Sequence, residues 1–269
     1  QFSRAGLAHT LGMSKPAVSM LVEELLGQNL LIEVGPGAST QAGGKRPILL
    51  DLNREAAFIL AVYFNEEWYE IGITDLSLTK MYAHRKESIV IHSDYRETFD
   101  KIVSEIQGMI AHVREQGYNQ EFIACGISTR GLVDVKSGVL RYSATLPGWK
   151  NVPVVEYMHH CLGMPVFFEN DARSFALAEL FNSEHTKLSA FVCLYVGLGI
   201  GAGVIMDREL VRGTDGGVLN IGHMIIDTHG PLCVCGNHGC WESFASLQAL
   251  LRELGGKDPA YRTLSFREI

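Results

Sequence analysis

The first thirty residues repeat apolar positions at helical spacing, and the repeat is broken once. Apolar residues three and four positions apart predict one helix before Gly12 and a second helix after it. Ser14 suits the N-cap of the second helix, and Pro16 suits its opening turn. The apolar residues that mark the first helix are Leu7, Ala8 and Leu11. Those of the second helix, expected to form an inward stripe, are Ala17, Val18, Leu21, Val22 and Leu25. The pattern therefore predicts two helices joined by a tight turn.

Two predicted strands follow these helices, with a polar stretch between them. An apolar run at residues 30–34 precedes the glycine-rich residues 35–47, and a second apolar run, ILLDL, occupies residues 48–52. Two helices followed by a strand, a basic loop and a returning strand are typical of a winged helix-turn-helix domain, here residues 1–52. A plain helical hairpin at a subunit contact is the alternative interpretation of the two helices alone.

A winged helix-turn-helix domain presents the start of its second helix to base edges and phosphates, and its loop can enter a minor groove. We therefore expect this domain to bind operator DNA. The expected DNA contacts are Ser14, Lys15, Ser19, Lys45 and Arg46.

From residue 57 onward, strand and helix patterns alternate. An amphipathic pattern predicts a long helix at residues 95–116, and shorter helices are predicted at 154–161 and 172–181. The predicted strands are residues 57–64, 68–76, 80–89, 121–129 and 165–170, followed by a hairpin within 190–206. The strand at 121–129 is expected to lead into a loop. The repeated order predicts a duplicated two-lobe α/β architecture with a ligand in the cleft between the lobes. We place the first lobe at residues 53–165 and the second at 166–269.

Composition narrows the class of protein. A chain of 269 residues with 47% hydrophobic content can bury a large core, and its six cysteines are too few for a secreted disulfide scaffold. The net charge of −7 argues against nucleic-acid binding by the whole body, but a small basic module remains compatible with it. The uncharged run at residues 188–206 contains glycines that predict strand and loop instead of a membrane span. We therefore expect no membrane segment and a cytoplasmic protein.

Four motifs carry a resemblance to a known family. ENDARSFALAEL, VGLGIGAGVI, IGHMIID and GPLCVCGNHGCWE occur in this order behind a winged helix that ends in GGKRP. In this set the chain resembles the ROK family of sugar kinases and sugar-responsive repressors, and within it the transcriptional regulators of the xylose-repressor type. The resemblance implies a two-lobe, actin-like sugar-kinase fold after the winged helix. Because family members normally continue further and the chain begins with Gln1 inside a helical motif, we expect a sequence truncated at both ends.

The stretch LCVCGNHGC supplies three cysteines that suit a metal site. Cys233, Cys235 and Cys240 offer three thiolates, and zinc prefers four tetrahedral nitrogen or sulfur ligands. His223 is the expected fourth ligand and matches the zinc motif of the ROK family, while His238 inside the loop is the competing one. A redox pair is disfavoured because Cys-x-Cys lacks the spacing of an exchanging pair. Four protein ligands leave no open position, so the zinc is expected to be structural.

The resemblance also implies a sugar site. Asp171 occupies the position of the family's general base, which takes a proton from the attacking sugar hydroxyl; an N-cap role is the alternative. The expected sugar-binding residues are Asn170, Asp171, Asn220, His223 and Glu242. The chain departs from the family at Asn220, where a glutamate is common, and at Arg130 and Arg173, where proline and asparagine are usual. These changes point to an unusual or charged ligand.

The phosphate-binding motif of the family's kinases is missing from this chain. Those kinases use DxGGT after the first strand, whereas this chain reads YFNEE at residues 63–67. Without the glycines, backbone N–H groups lose access to phosphate, and the two glutamates are expected to face a triphosphate and repel it. The glycines at residues 197–203 can cradle a phosphate or simply form a strand hairpin, and the hairpin is favoured. Asp171 is then a vestigial base, and the chain has no catalytic residue.

The sequence thus predicts a non-enzymatic repressor of a carbohydrate-utilisation operon. Its partners are operator DNA and a small sugar effector, xylose or another monosaccharide, and two-fold operators predict a homodimer. The rival prediction is an ATP-dependent sugar kinase with a regulatory head. A ligand-binding protein that has lost both activities is the third.

Overall fold

The computed structural model describes residues 2–37, 46–181, 188–213 and 220–258. In chain order the elements are β1 Phe2–Ser3, α1 Arg4–Leu11, α2 Lys15–Gly27, β2 Leu31–Pro36, β3 Ile48–Leu52, β4 Ala57–Phe64, β5 Trp68–Asp75, β6 Met81–Ser88, α3 Tyr95–Glu115, β7 Glu121–Thr129, β8 Leu132–Asp134, β9 Val139–Tyr142, β10 Lys150–Val152, α4 Val154–Leu162, β11 Val166–Asn170, α5 Asp171–Phe181, β12 Phe191–Val196, β13 Ile200–Met206, β14 Glu209–Leu210, a 3-10 turn Ile221–His223, α6 Glu242–Ala245 and α7 Leu247–Lys257. The elements form an α/β protein. None of the helices within these ranges combines the length and the apolar character needed to cross a membrane.

The break at Gly12 and the N-cap of the second helix lie where the sequence predicts them. Gly12 takes a left-handed φ of 62° after α1, and Ser14 caps α2 by accepting a hydrogen bond from the Ala17 N–H. The strands β2 and β3 pair antiparallel, and β1 adds to β3 to give the order β1-β3-β2. Two helices and a small antiparallel sheet are thus the elements of residues 2–37 and 46–52.

The core of this segment differs from the predicted stripe. Val18 and Val22 are buried with Ala8 and Leu50, and Leu26 packs against them. Leu21 and Leu25, which the sequence analysis placed inward, are 40% and 36% exposed. Since the helix repeats every 3.6 residues, the positions at 18, 22 and 26 share one face, and Leu21 and Leu25 are turned away from it.

The chain divides into two compact units. Residues 1–62, 70–86 and 104–125 form one unit, and residues 63–69, 87–103 and 126–269 form the other. The largest sheet has the strand order β11-β7-β4-β5-β6. Its strands β4 and β5 are buried along most of their length, as their apolar composition predicts. The three-domain division at residues 52 and 165 stays a prediction.

A small sheet follows β7, where the sequence predicts only a loop. The strands β8, β9 and β10 form an antiparallel sheet in the order β10-β9-β8. Each has three or four residues, which is too short for a period-two pattern to stand out from loop sequence. The prediction of a loop was therefore wrong here.

The predicted hairpin within residues 190–206 is confirmed. Strands β12 and β13 pair antiparallel from Phe191↔Ile205 to Val196↔Ile200, and α5 packs on them. A Cβ at Gly201 would come within 2.8 Å of Ala172 Cβ on α5. Gly201 therefore lets the helix approach the strand closely. This close approach supports the interpretation of the glycine run as a hairpin.

Candidate metal centre and ligand site

Four side chains converge between the 3-10 turn and α6. The ligand atoms of His223, Cys233, Cys235 and Cys240 all lie within 4.8 Å of one another. A tight loop brings the cysteines together, because the Cys233 N–H bonds the Asn237 carbonyl and Gly236 takes a left-handed φ of 92°. A bridge between Ile225 and Cys240 closes the loop onto the residues that follow His223.

The spacing of these atoms suits a tetrahedral metal. Cys235 Sγ lies 3.6 Å from Cys240 Sγ, and Cys233 Sγ lies 3.5 Å from His223 Nδ1. Thiolates about 2.3 Å from a tetrahedral zinc are separated by about 3.8 Å, whereas disulfide sulfurs are about 2.05 Å apart. All three cysteines are free thiols. The residues present can hold a metal ion, and they fit zinc.

The fourth member of the cluster is His223. His238 Nδ1 instead lies 3.1 Å from the Gly230 carbonyl oxygen, and the His238 side chain is exposed. The geometry therefore favours His223 over the competing histidine that the sequence left open.

The thiols differ in their tendency to ionise. Burial and the neighbouring thiols raise the pKa of Cys240 to about 12, and burial raises the pKa of Cys233. Burial also opposes ionisation of Cys235, but a backbone N–H at Asn237 and the two other cysteines lower its pKa. The Cys235 thiolate is thus the one that the surroundings stabilise.

The cysteine loop continues directly into a contact with the glycine hairpin. The Trp241 N–H bonds the Met224 carbonyl, and Glu242 Oε2 accepts a hydrogen bond of 2.8 Å from the Ile200 N–H. A Cβ at Gly199 would meet Glu242 Oε2 at 2.5 Å. Glu242, predicted as a sugar ligand, therefore uses one carboxylate oxygen to hold the β12–β13 turn.

Asn170 and Asp171 lie at the junction of β11 and α5, and the structure brings these two predicted residues together. Asp171 Oδ1 accepts hydrogen bonds from its neighbours Ala172 N–H (2.8 Å) and Asn170 Nδ2 (3.0 Å). Burial raises the pKa of Asp171, although these hydrogen bonds and Arg130 oppose the shift. Among the residues that the structure describes, no direct hydrogen bond joins this pair to Asn220, His223 or Glu242.

In the turn between β4 and β5, the side chain of Asn65 binds backbone N–H groups of the turn. Asn65 is 3% exposed, and its Oδ1 accepts hydrogen bonds from the N–H groups of Glu67 (2.9 Å) and Trp68 (2.8 Å). In a phosphate-binding loop such N–H groups point at the ligand. Here a side chain of the turn already occupies them.

Glu66 does not stand free beside this turn. Its Oε1 lies 2.7 Å from Arg130 Nη1, and Arg130 Nη2 donates to the Tyr195 hydroxyl at 3.2 Å. Arg130, 64 residues away, partly neutralises Glu66 and so weakens the predicted repulsion of a triphosphate at this carboxylate. Glu67 is exposed. Burial disfavours the charge on Arg130, but Glu66 and the nearby tyrosines raise its pKa above the ordinary value.

The family follows from a comparison with known proteins. The model of the ROK family matches residues 67–269, more than half of the chain. The chain belongs to the ROK family.

Relatives of this ROK chain include both regulators and kinases. The xylose repressor of Bacillus spizizenii is 31% identical, and the match covers 99% of this chain and 67% of that protein. A ROK family transcriptional regulator, a homolog of the E. coli Mlc protein, has a similar structure with a TM-score of 0.79 at 23% identity, covering 96% of this chain and 64% of that chain. A ROK glucokinase from Streptomyces griseus, in complex with glucose and AMPPNP, gives a TM-score of 0.62 at 26% identity, covering 76% and 63%. The ROK chain thus spans about two thirds of the length of these proteins.

The ROK chain contains a second arginine network that sequence reasoning missed. Arg173 Nε lies 2.7 Å from Glu169 Oε1, and Arg212 Nη2 lies 3.1 Å from Glu169 Oε2. Arg173 also donates to the Val133 carbonyl. Arg173, at a position where the family usually has asparagine, is buried and forms an ion pair with Glu169. The spacing of Glu169 and Arg173, four residues apart, was the one signal available in the sequence.

The predicted DNA contacts of the ROK chain lie on and after α2. Ser14 and Lys15 are exposed at the start of α2, and Ser19 is half-buried one turn later. Arg46 is exposed just before β3, while Lys45 lies outside the described residues. Lys15 is thus accessible at the first turn of α2, whereas Ser19 lies beside the buried Val18 and Val22 and is only partly accessible.

Proposed function

We propose that this ROK chain is a sugar-responsive transcriptional repressor that binds operator DNA through residues 1–52. The observation that carries the proposal is the β4–β5 turn. Asn65 occupies the N–H groups of Glu67 and Trp68, so this turn offers no free amide cradle to a nucleotide phosphate. A ROK protein without a phosphate-binding turn at this position suits a sensor better than a phosphotransferase. The similarity to xylose repressors supports the same choice.

The N-terminal segment supplies the DNA-binding part of the proposal. A capped second helix with an exposed lysine at its start, followed by two antiparallel strands, supports a winged helix-turn-helix. Lys15 contacts phosphate, Ser14 and Ser19 lie near the bases, and the wing with Lys45 and Arg46 reaches the minor groove. Two copies of the chain read a two-fold operator as a homodimer.

The effector is a monosaccharide, with xylose the first candidate. Asn170 and Asp171 offer amide and carboxylate groups that suit sugar hydroxyls. Asn220, His223 and Glu242 are retained as further proposed sugar contacts. Sugar binding changes DNA affinity only as far as the sugar prefers one of the two conformations of the protein.

The cysteine cluster holds a structural zinc ion. His223, Cys233, Cys235 and Cys240 would supply its four ligands, and the clustering of their ligand atoms supports this proposal. When bound, the ion supplies no activated water and instead stabilises the loop. The loop in turn positions Glu242 against the Ile200 N–H.

A gel-shift titration tests the main proposal. The chain is titrated against the DNA upstream of its own gene, with and without xylose, glucose and other aldoses. We expect specific retardation that at least one sugar alters. Retardation that no sugar changes, or none at all, would contradict the repressor.

A sugar kinase is the second candidate, because Asp171 is present at the start of α5 and a ROK glucokinase shares the fold. A coupled assay for ADP release with hexoses and pentoses distinguishes the two. Turnover that Asp171→Asn abolishes would establish the kinase and displace the proposal of a non-enzymatic sensor.

A further inference from the structure

Arg130 is held among acidic and phenolic groups within one compact unit. Its side chain is only 16% exposed. One guanidinium nitrogen pairs with Glu66 and a second donates to the Tyr195 hydroxyl, while the third, Nε, lies 3.7 Å from Asp171 Oδ2. The last distance is too long for a hydrogen bond. Arg130 therefore faces Asp171 without bonding to it.

Two polar atoms of this cluster are buried without a hydrogen-bond partner. They are Arg130 Nε, a donor, and Glu66 Oε2, an acceptor. Leaving a buried charged group partly unsatisfied is costly, and native proteins rarely do so without a ligand or water nearby. The donor and the acceptor belong to the same ion pair, whose other atoms are joined at 2.7 Å. Because both atoms belong to one ion pair, we infer that a single small polar group is their shared partner.

A hydroxyl group matches this pair, because a hydroxyl both accepts and donates hydrogen bonds. Its oxygen would accept from Arg130 Nε, and its hydrogen would be donated to Glu66 Oε2 or to Asp171 Oδ2. Asp171 Oδ1 is already occupied by Asn170 and Ala172, which leaves Oδ2 as the oxygen that faces Arg130.

We propose that Glu66 and Arg130 form a hydroxyl-binding subsite beside Asp171 and make the effector site selective for uncharged sugars. This proposal rests on the proposed sugar-sensing function and names the class of ligand. It revises the expectation, drawn from Arg130 in the sequence, of a charged ligand. Neither residue belongs to the sugar contacts expected from the motifs of the chain.

Charge decides the selectivity. Glu66 and Asp171 place two carboxylates around a single guanidinium. Arg130 is thereby already compensated, and a phosphate or carboxylate on the sugar would meet net negative charge in a largely buried site. Like charges repel more strongly where water is excluded. A neutral hydroxyl has no such penalty.

Isothermal titration calorimetry on the 269-residue chain tests the subsite. The probes are D-xylose and D-glucose, with D-glucuronate and D-glucose 6-phosphate as anionic counterparts. We expect a neutral aldose to bind at least about tenfold more tightly than any anionic counterpart. Tighter binding of an anionic sugar would overturn the proposal.

Two variants separate the subsite from a merely structural pair. Glu66→Gln keeps the size of the side chain but removes one carboxylate, and Arg130→Lys keeps the charge but removes Nε. Each is expected to weaken aldose binding about tenfold, and Glu66→Gln should also narrow the preference for neutral over anionic sugars. A structural role alone would not change that preference. Glu67→Gln, at the neighbouring exposed carboxylate, should behave as the wild type.

The outcomes distinguish this inference from the function on which it rests. Unchanged affinity and selectivity in both folded variants would overturn the subsite and leave the repressor untouched. Sugar binding that depends on Glu66 but does not alter DNA binding would support the subsite and contradict the repressor. If neither variant folds, the preference of the wild type between neutral and anionic sugars still decides. Failure of every aldose to bind the wild type would overturn the subsite.

Discussion

Glu242 Oε2 accepts a hydrogen bond of 2.8 Å from the Ile200 N–H, and this bond joins the cysteine loop to the turn of the β12–β13 hairpin. The carboxylate stands two residues after Cys240, so the loop that gathers the thiols also positions the acid. A charged acceptor makes this a strong type of hydrogen bond. The glycine at position 199 leaves room for it.

Replacing Glu242 with alanine should lower the free energy of unfolding by about 1 to 3 kcal/mol, because the partly buried Ile200 N–H loses a charged acceptor. Glu242→Gln retains an acceptor and should lose less. Urea denaturation at neutral pH measures both changes. Glu253→Ala, at an exposed position on α7, is the matched control and should change stability by less than about 0.5 kcal/mol. Equal effects at positions 242 and 253 would show that the bond is not stabilising.

Histidine substitutions test the fourth ligand of the proposed zinc site. The purified chain should contain about one zinc per molecule by mass spectrometry of the metal content. His223→Gln should lower its zinc affinity by more than about tenfold, because three thiolates remain in an incomplete shell. His238→Gln should keep the metal, since His238 faces the Gly230 carbonyl. The opposite ranking of the two variants would reassign the ligand.

A chelator experiment separates metal from disulfide. Prolonged treatment with a strong chelator should lower the melting temperature of the wild type, and added zinc should restore it. Cys235→Ser should resemble the chelated wild type, whereas Cys161→Ser, outside the cluster, should respond to the chelator as the wild type does. A reductant that lowers the melting temperature without releasing metal would point to a disulfide instead.

Local patterns predicted much of this protein, and pairs distant in sequence escaped prediction. The N-cap of α2 and the hairpin around Gly199 follow from residues a few positions apart. The convergence of His223 with the cysteines also follows, because ten residues of loop suffice to close it. The ion pair of Glu66 and Arg130 joins residues 64 positions apart, and only the folded sheet brings them together. Periodicity carries no information on such a contact.

The lack of information on tertiary contacts also explains why the burial predicted for Leu21 and Leu25 on α2 was wrong. Leu21 and Leu25 are as apolar as Leu26, so hydrophobicity alone allows several overlapping stripes on this helix. The position of the small sheet selects one of them, since Leu50 on β3 packs with Val18 and Val22. A tertiary contact thus decides which leucines are buried.

Lys15 provides the sharpest test of the DNA-binding face. Because this exposed lysine opens α2, we expect it to contact a phosphate. Lys15→Ala should weaken binding of operator and unrelated DNA alike. It should also reduce the magnitude of the slope of log binding constant against log salt concentration by about one. Fluorescence anisotropy at several salt concentrations measures this. Lys136→Ala removes an exposed lysine outside the N-terminal segment and should leave the slope unchanged. A slope that Lys15→Ala does not alter would remove Lys15 from the interface.

Asp75 at the end of β5 should make stability depend on acid pH. Its side chain is buried, and its Oδ1 accepts hydrogen bonds from the Ser77 hydroxyl (2.8 Å) and the Ser77 and Thr79 N–H groups. Burial opposes ionisation, but these hydrogen bonds lower the pKa of Asp75 below its ordinary value. The unfolded chain, with a pKa of about 3.9, then binds more protons than the folded one. The stabilisation is therefore complete above that value and is lost as the pH falls through the lower folded pKa.

Asp75→Asn should accordingly be less stable than the wild type by about 1 to 3 kcal/mol at pH 7, because an amide oxygen accepts these hydrogen bonds more weakly than a carboxylate does. The difference should shrink as the pH is lowered below about 4, where the wild type loses its own charge. Urea denaturation at pH 7, 5, 4 and 3 follows the change. Asp207→Asn, at an exposed turn residue with a left-handed φ of 51° that asparagine tolerates, is the control for the substitution and should change stability by less than about 0.5 kcal/mol at pH 7. A gap between Asp75→Asn and the wild type that stays constant across this range would mean that side-chain packing, not the carboxylate charge, accounts for the effect of Asp75.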